Sequence, residues 1–353
     1  MANWRSVATY GVLGFTNFWT FYTVSNSFPN STATTAAAPP QWHADAAWHA
    51  YAVRVPRRPS AKSLLLACLL FLLTLCTCLV AGTHFAIAYA HNEAVSWDEF
   101  IRAFTLVYRH PLALSAGLPF ALTLLTILLA HELGHFFACR HHHIHSSYPF
   151  FIPFPTLIGT LGAFILIRSP IRTTRALFDV GASGPLVGFL VAVPALIYGI
   201  VHAKFVPGLA IPAENKIILG SPLILHLLAP IFHHGAGAAN LLLHPVGRAA
   251  WVGLFATSLN LLPAAQLDGG HIIRSLSQSA HRVSSLLLPV LLALLAFRYW
   301  GGWYLWAALL VGIRFLRTLP IYHPEPLGSR RLAAAFLSLL VFILSFMPAP
   351  FLE

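Results

Sequence analysis

Two histidines and a glutamate stand in His131-Glu132-Leu133-Gly134-His135, inside Leu128–Phe137, a stretch that otherwise reads as hydrocarbon. On a helix, at about 100° per residue, His131 and His135 share one face a turn apart, where two imidazoles bind one Zn²⁺ and Glu132 lies beside them as a general base. Ionisable groups in an apolar span mark function by default. At this composition, chance supplies only about 0.02 copies of the pattern. A catalytic zinc takes three protein ligands and keeps one open position, so a third donor must come from elsewhere in the chain. Of the ten Asp and Glu residues, only Glu132 and Asp268 are embedded in apolar segments, while Asp179 lies at a span entrance beside Arg175. Asp268 is the natural third ligand.

Elements that must position these residues follow from composition. Hydrophobic residues make up 58% of the 353 and charged residues 9%, with several mainly apolar runs of about 18 or more, which places the chain among polytopic helical membrane proteins. The net charge of +11 would suit nucleic acid if it formed one patch. It is scattered among short loops instead, as topology signals are, and nucleic acid is excluded as a partner. Cys68, Cys76, Cys78 and Cys139 sit in or beside apolar spans and read as small hydrophobes rather than a disulfide framework.

Residues 1–62 lack a long apolar run, are rich in Ser, Thr, Asn, Ala and Pro from Ser25 to Pro40, and read as a disordered segment. The basic collar Arg54, Arg57, Arg58 and Lys62 puts that segment in the cytoplasm. Residues 63–353 then form the membrane domain, an all-α polytopic bundle of about seven transmembrane helices: Ser63–Tyr89, Leu112–Cys139, Phe178–His202, Ala249–Ala265, Val283–Phe297, Trp303–Ile313 and Leu332–Phe346. His91–Pro111 and Ala203–Pro245 are external, and Ile217–Phe232 is a candidate short interfacial or buried helix. Between the second and third spans, the prolines of Tyr148–Pro155 rule out a regular helix. Gly159–Arg168, rich in β-branched and aromatic residues, predicts a strand or short β-hairpin, so His141–Arg175 reads as a re-entrant or membrane-surface loop near the active site. Such backbone is tolerated at membrane depth only where protein or a water-filled cavity covers it. His141, His142, His143 and His145 read as a solvated loop without a paired carboxylate, and His233 and His234 as part of an external loop. His271, one turn after Asp268, is either a partner of the site or an interfacial histidine.

His131-Glu-Leu-Gly-His135 on an early span, paired with Asn260-Leu-Leu-Pro263-Ala-Ala-Gln-Leu267-Asp268-Gly269 on a later one, resembles the site-2 protease family of intramembrane metalloproteases. Where that family commonly has Asn-Pro-x-Pro, this chain carries Leu261; Asn-Leu-Leu-Pro and Leu-Asp-Gly-Gly-His resemble the chloroplast and bacterial branch, as does Gly159–Ile165. The resemblance implies one Zn²⁺ per chain on His131, His135 and Asp268, with Glu132 as catalytic base. It implies a transmembrane protein substrate cut in or near its helix within the lipid bilayer. It also favours Asn260 as a donor to substrate over a helix-packing amide. Both the resemblance and the need to unwind a helix before cleavage point to the strand edge formed by Gly159, Thr160, Leu161, Gly162 and Ala163 as the substrate-binding segment. The expected location is the cytoplasmic membrane of a bacterium, multi-pass, with the N-terminus inside. The competing reading is a non-catalytic membrane scaffold or a metal transporter, which predicts further carboxylates along the spans.

Overall fold

A computed structural model describes residues 60–209, 216–233, 238–314 and 324–352. The segment 1–59, with its expected disorder, and His234 lie outside the described residues.

Helix α1 (Ala61–His91) starts at Ser60, whose hydroxyl accepts the Ser63 N–H, and ends on Asn92 in the left-handed region at φ 61°. A two-residue strand β1 (Val95–Ser96) leads into α2 (Trp97–Arg109), and a 3-10 turn (Pro111–Gly117) opens onto α3 (Leu118–His141). The external segment expected after the first span is thus a helix. The histidine motif falls in the second half of α3. Next come β2 (Phe150–Pro153) and β3 (Thr160–Phe164), then α4 (Thr174–Val201), β4 (Lys204–Phe205), β5 (Lys216–Leu219), α5 (Leu223–Phe232) and β6 (Leu241–Leu242). The chain closes with α6 (Pro245–Asn260), α7 (Asp268–Leu276), α8 (Gln278–Arg298), α9 (Gly302–Arg314), α10 (Gly328–Ser345) and β7 (Phe351–Leu352).

Three small antiparallel sheets link these helices. In the first, β2 pairs with β3 as the hairpin expected from sequence, Phe150 opposite Phe164 and Phe151 opposite Ala163. In the second, β5 is the middle strand between β1 and β7, Val95 opposite Ile217 and Leu219 opposite Phe351. The third joins β4 to β6.

Five stretches are long and apolar enough to cross a membrane: Ala61–His91, Pro111–His141, Thr174–Val201, Gln278–Arg298 and Gly328–Ser345. Two of the seven expected spans fall short of that length. The expected fourth span, Ala249–Ala265, stops at Asn260 because Pro263 cannot continue a helix and Ala265 turns left-handed at φ 53°. Helix α6 has only 16 residues and is buried nearly all round, enclosed by α3, α4 and α10. An apolar helix wrapped by protein is a core element first. By contrast, α1, α8 and α10 turn Leu65, Phe297 and Phe336 outward, the arrangement of helices whose outer surface meets lipid. Inside the bundle, Phe85, Phe120, Leu124, Phe151, Trp251 and Trp303 form the main core.

Candidate metal centre

Helix α3 presents His131, Glu132 and His135 into the bundle, all buried. After α6, the chain turns through 261–267 and starts α7 at Asp268. Gly269 and Gly270 allow that reversal, because a Cβ on either would run into the carbonyl oxygens of Leu261 and Ala264. From α8, His281 Nε2 lies 2.9 Å from the Ala265 oxygen and the Ser285 hydroxyl accepts the Ala265 N–H at 3.0 Å, bracing the strained residue of the turn.

The turn delivers Asp268 to the histidine pair. Asp268 Oδ2 lies 3.3 Å from His131 Nε2 and 3.2 Å from His135 Nε2, and the two nitrogens are 3.1 Å apart. Bonds of 2.0–2.1 Å from a tetrahedral zinc place neighbouring donors about 3.3 Å apart. Two imidazoles and a carboxylate at this spacing fit zinc in donor type and in geometry. Among the described residues, this is the one group of three potential donors close enough to share a metal.

Helix α4 holds the ligands in place. His135 Nδ1 donates to the Val180 carbonyl at 2.7 Å, which fixes the ring and leaves Nε2 free to ligate. Gly184 lies against the His135 ring, and a Cβ there would occupy the space of the imidazole; Gly188 lies against His131, with 3.1 Å from a built Cβ to Nδ1; Gly181 receives α7 at His271 and Asp268. The three glycines at i, i+3 and i+7 form one face of α4 that cradles the donors. Gly188 and the Val180 carbonyl carried no separate sequence signal.

Of the expected substrate segment, the structure separates two groups. Gly159, at φ 86°, is packed against the backbone of Thr77 and Cys78 on α1, and its carbonyl accepts the Thr77 hydroxyl at 2.6 Å. The Thr160 hydroxyl donates to Ile152 O at 2.9 Å within the hairpin. Leu161 is exposed, Gly162 and Ala163 are half-buried, and nothing lies within 4 Å of a Cβ built on Gly162. Just past β3, the Ile165 backbone lies near the Glu132 carboxylate. The edge of β3 not paired with β2 has no strand beside it among the described residues. Asn260 arrives at the end of α6 with Nδ2 3.2 Å from His131 Nε2, so it belongs to the site. His271 packs on Gly181 behind Asp268.

One expectation is corrected. Because α3 runs on to His141, His142 caps it and meets α4, with Nε2 2.8 Å from Asp179 Oδ2. Arg331 from α10 donates to the same carboxylate through Nε at 2.8 Å and Nη2 at 2.6 Å. His142 is therefore paired with a carboxylate, and Asp179 is tied to Arg331 rather than to Arg175, which meets Glu325 at 3.3 Å.

Residues 119–297, about half of the chain, match Peptidase family M50. The chain belongs to that family. All of the proposed ligands and the glycine face of α4 fall within the M50 match. Curated relatives include a probable zinc metalloprotease EGY1, chloroplastic, from Oryza sativa subsp. japonica, 33% identical over 213 residues, covering 58% of this chain and 36% of that protein. The protein of the same name from Arabidopsis thaliana is 36% identical over 166 residues, 45% of this chain and 29% of its own length. A probable zinc metalloprotease EGY2, chloroplastic, from Arabidopsis thaliana is 32% identical over 170 residues, 46% and 29% of the two chains. The matches span about a third of the length of these relatives. No solved structure matches the chain.

Proposed function

We propose that this M50 chain is a zinc-dependent intramembrane endopeptidase that hydrolyses a peptide bond in or near a transmembrane segment of a membrane-tethered protein. The observation that carries the reading is the set of three buried donors at 3.1–3.3 Å from one another, with Glu132 beside them on the same helix. Zinc held by His131, His135 and Asp268 supplies a Lewis acid that polarises the scissile carbonyl and makes water acidic enough to deprotonate near pH 7. Glu132 takes the proton of the attacking water and returns it to the leaving amine. Asn260, beside the ligand face, donates its amide N–H to the substrate carbonyl, where charge develops. The unpaired edge of β3 from Leu161 to Ala163 receives the unwound substrate strand, while Gly159 and Thr160 hold the hairpin against α1 and β2.

The catalytic domain in this proposal is residues 63–353, with 1–62 as a separate cytoplasmic segment and β2–β3 as the re-entrant element. Seven crossings with the N-terminus inside are supported by the sheet of β1, β5 and β7, whose strands come from three segments that this topology puts on one external side. An integral, multi-pass location follows from the apolar helices. The bacterial cytoplasmic membrane draws no support from the relatives, whose names print a chloroplastic location, and the proposal extends only to a membrane whose basic loops face the N-terminal side.

The test is cleavage of a membrane-tethered reporter by wild type and Glu132→Gln, with zinc measured on both. Loss of cleavage by about 10²–10⁴-fold with zinc retained is the expected result. Full cleavage by the zinc-loaded variant would overturn the role of Glu132. A transporter would need a second set of donors along the bundle, and the described residues hold none.

A further inference from the structure

Arg248 stands in the first turn of α6, on the external side, and is 92% buried by its 8% exposure. Its guanidinium has no hydrogen bond or ion pair among the described residues, and no carboxylate acts on it there. A buried charge without a partner is a costly anomaly that native proteins rarely retain. Its position adds to the anomaly, since the positive end of a helix disfavours a cation and favours an anion. All three circumstances are relieved by one thing, a negative charge against the guanidinium.

There is room for it. Arg248 lines a small, partly open cavity together with Ile217, Ser221, Leu225, Leu241 and Trp251. Among the described residues, no Asp or Glu lines it. The Gly220 carbonyl, one of the backbone acceptors in the lining, is taken by Trp251 Nε1 at 2.6 Å. What remains is a planar fork of donors in an apolar pocket, a geometry that matches an oxyanion.

The surroundings name its source. The wall strand β5 pairs with β1, which runs directly into α2. Along α2, Trp97, Ile101, Phe104 and Tyr108 are exposed at 54%, 64%, 41% and 87%. That i, i+4, i+7, i+11 stripe is an apolar face with nothing over it among the described residues, the signature of a helix lying in the lipid interface. Through β5 and β1, the cavity wall is thus joined directly to that helix. We propose that Arg248 and this cavity form an oxyanion site for the phosphate of a membrane lipid headgroup, on the side of the bundle opposite the metal centre.

Thermal unfolding of the full chain in neutral detergent tests this, with phosphatidylglycerol, a galactosyl diacylglycerol of the same acyl chains, or inorganic phosphate at constant ionic strength. Wild type is expected to gain about 3–5 °C at a hundredfold excess of phosphatidylglycerol over its Kd and nothing from the galactolipid. Arg248→Gln should lose that gain, and Arg248→Lys should keep part of it. A gain from inorganic phosphate alone would overturn the lipid as source and leave a free-anion site. Equal gains in wild type and Arg248→Gln would overturn the site. Should the Gln variant fail to fold, native mass spectrometry of wild type decides: one retained phosphatidylglycerol in preference to galactolipid supports the proposal, and none refutes it.

Discussion

Among the buried ionisable groups of the bundle, two places are treated oppositely. On the side that the proposed topology makes inner, His131, His135 and Asp268 face one another within 3.3 Å, the Val180 carbonyl holds the remaining nitrogen of His135, and glycines clear the space around the rings. On the side that it makes outer, Arg248 is as deeply buried and meets no opposite charge among the described residues. Each place is half of an interaction. A group of donors that can give lone pairs is completed by a cation, and a lone guanidinium is completed by an anion. The sign and geometry of what is missing differ, so substitutions at the two places should have different consequences.

The sharpest contrast is in metal content. Asp268→Ala removes one of three donors, and zinc per chain should fall from about one to below about 0.1 after dialysis. Arg248→Met should leave it at about one. If Asp268→Ala kept its zinc, the ligand set would be wrong. If Arg248→Met lost zinc, the two places would be coupled and the comparison would fail.

Next in size is the glycine face of α4. Gly184→Ala puts a methyl group where the His135 ring lies, so either the ring or the helix must move. Zinc affinity should drop by about 10–100-fold, the range seen when the support of a ligand is disturbed. Gly188→Ala meets His131 at 3.1 Å and should cost less, and Gly301→Ala, with nothing within 4 Å of its Cβ, should cost nothing measurable in affinity. Competition with a zinc chelator ranks the three. Equal losses at 184 and 301 would mean that α4 does not shape the centre.

This series marks the boundary of what could be read from the chain alone. The candidate metal-binding pair was legible because two imidazoles and a carboxylate are costly in an apolar run unless a metal or a reaction uses them, and the approach of Asp268 to it because so few acids compete. The hairpin was legible from its prolines and β-branched residues. Helix α6 was harder, since its apolar run continues through Leu261 and Leu262 and only Pro263 marks the stop. The Val180 carbonyl is backbone and has no residue signature. His142 and Asp179 are 37 residues apart, and their pairing with Arg331 depends on how three helix ends converge, which local pattern does not encode.

Stability separates the two buried sites more gently. Replacing an unpaired buried charge by an apolar side chain of similar volume removes a desolvation penalty. In phosphate-free detergent, Arg248→Met should be as stable as wild type or gain about 1–4 kcal/mol, whereas His135→Ala should lose stability even without zinc, because Val180 O loses a donor and a cavity opens. Chemical denaturation in the presence of a chelator measures both. A strongly destabilised Arg248→Met under those conditions would mean that the guanidinium already has a partner.

The smallest effect is a pH dependence on the outer side alone. His244 caps α6, its Nδ1 accepting the Val246 N–H at 3.3 Å, and it is ringed by Tyr89, Tyr198 and His202, with Lys204 over the Tyr89 ring. Burial, and then the neighbouring His202, hold its imidazole below the ordinary histidine range. A folded-state pKa below the unfolded value means that the native protein binds fewer protons in the window between them, so stability rises with pH there. The contribution is complete above the unfolded value near 6.5 and is lost as pH falls through it toward the folded value. His244→Asn keeps an N-cap acceptor and removes the titration. Between pH 7 and 5, wild type should therefore lose about 1–2 °C more in Tm than the variant, and the zinc ligands, common to both, cancel in the difference. Identical pH profiles would mean that the His244 imidazole contributes nothing to the acid sensitivity of the fold.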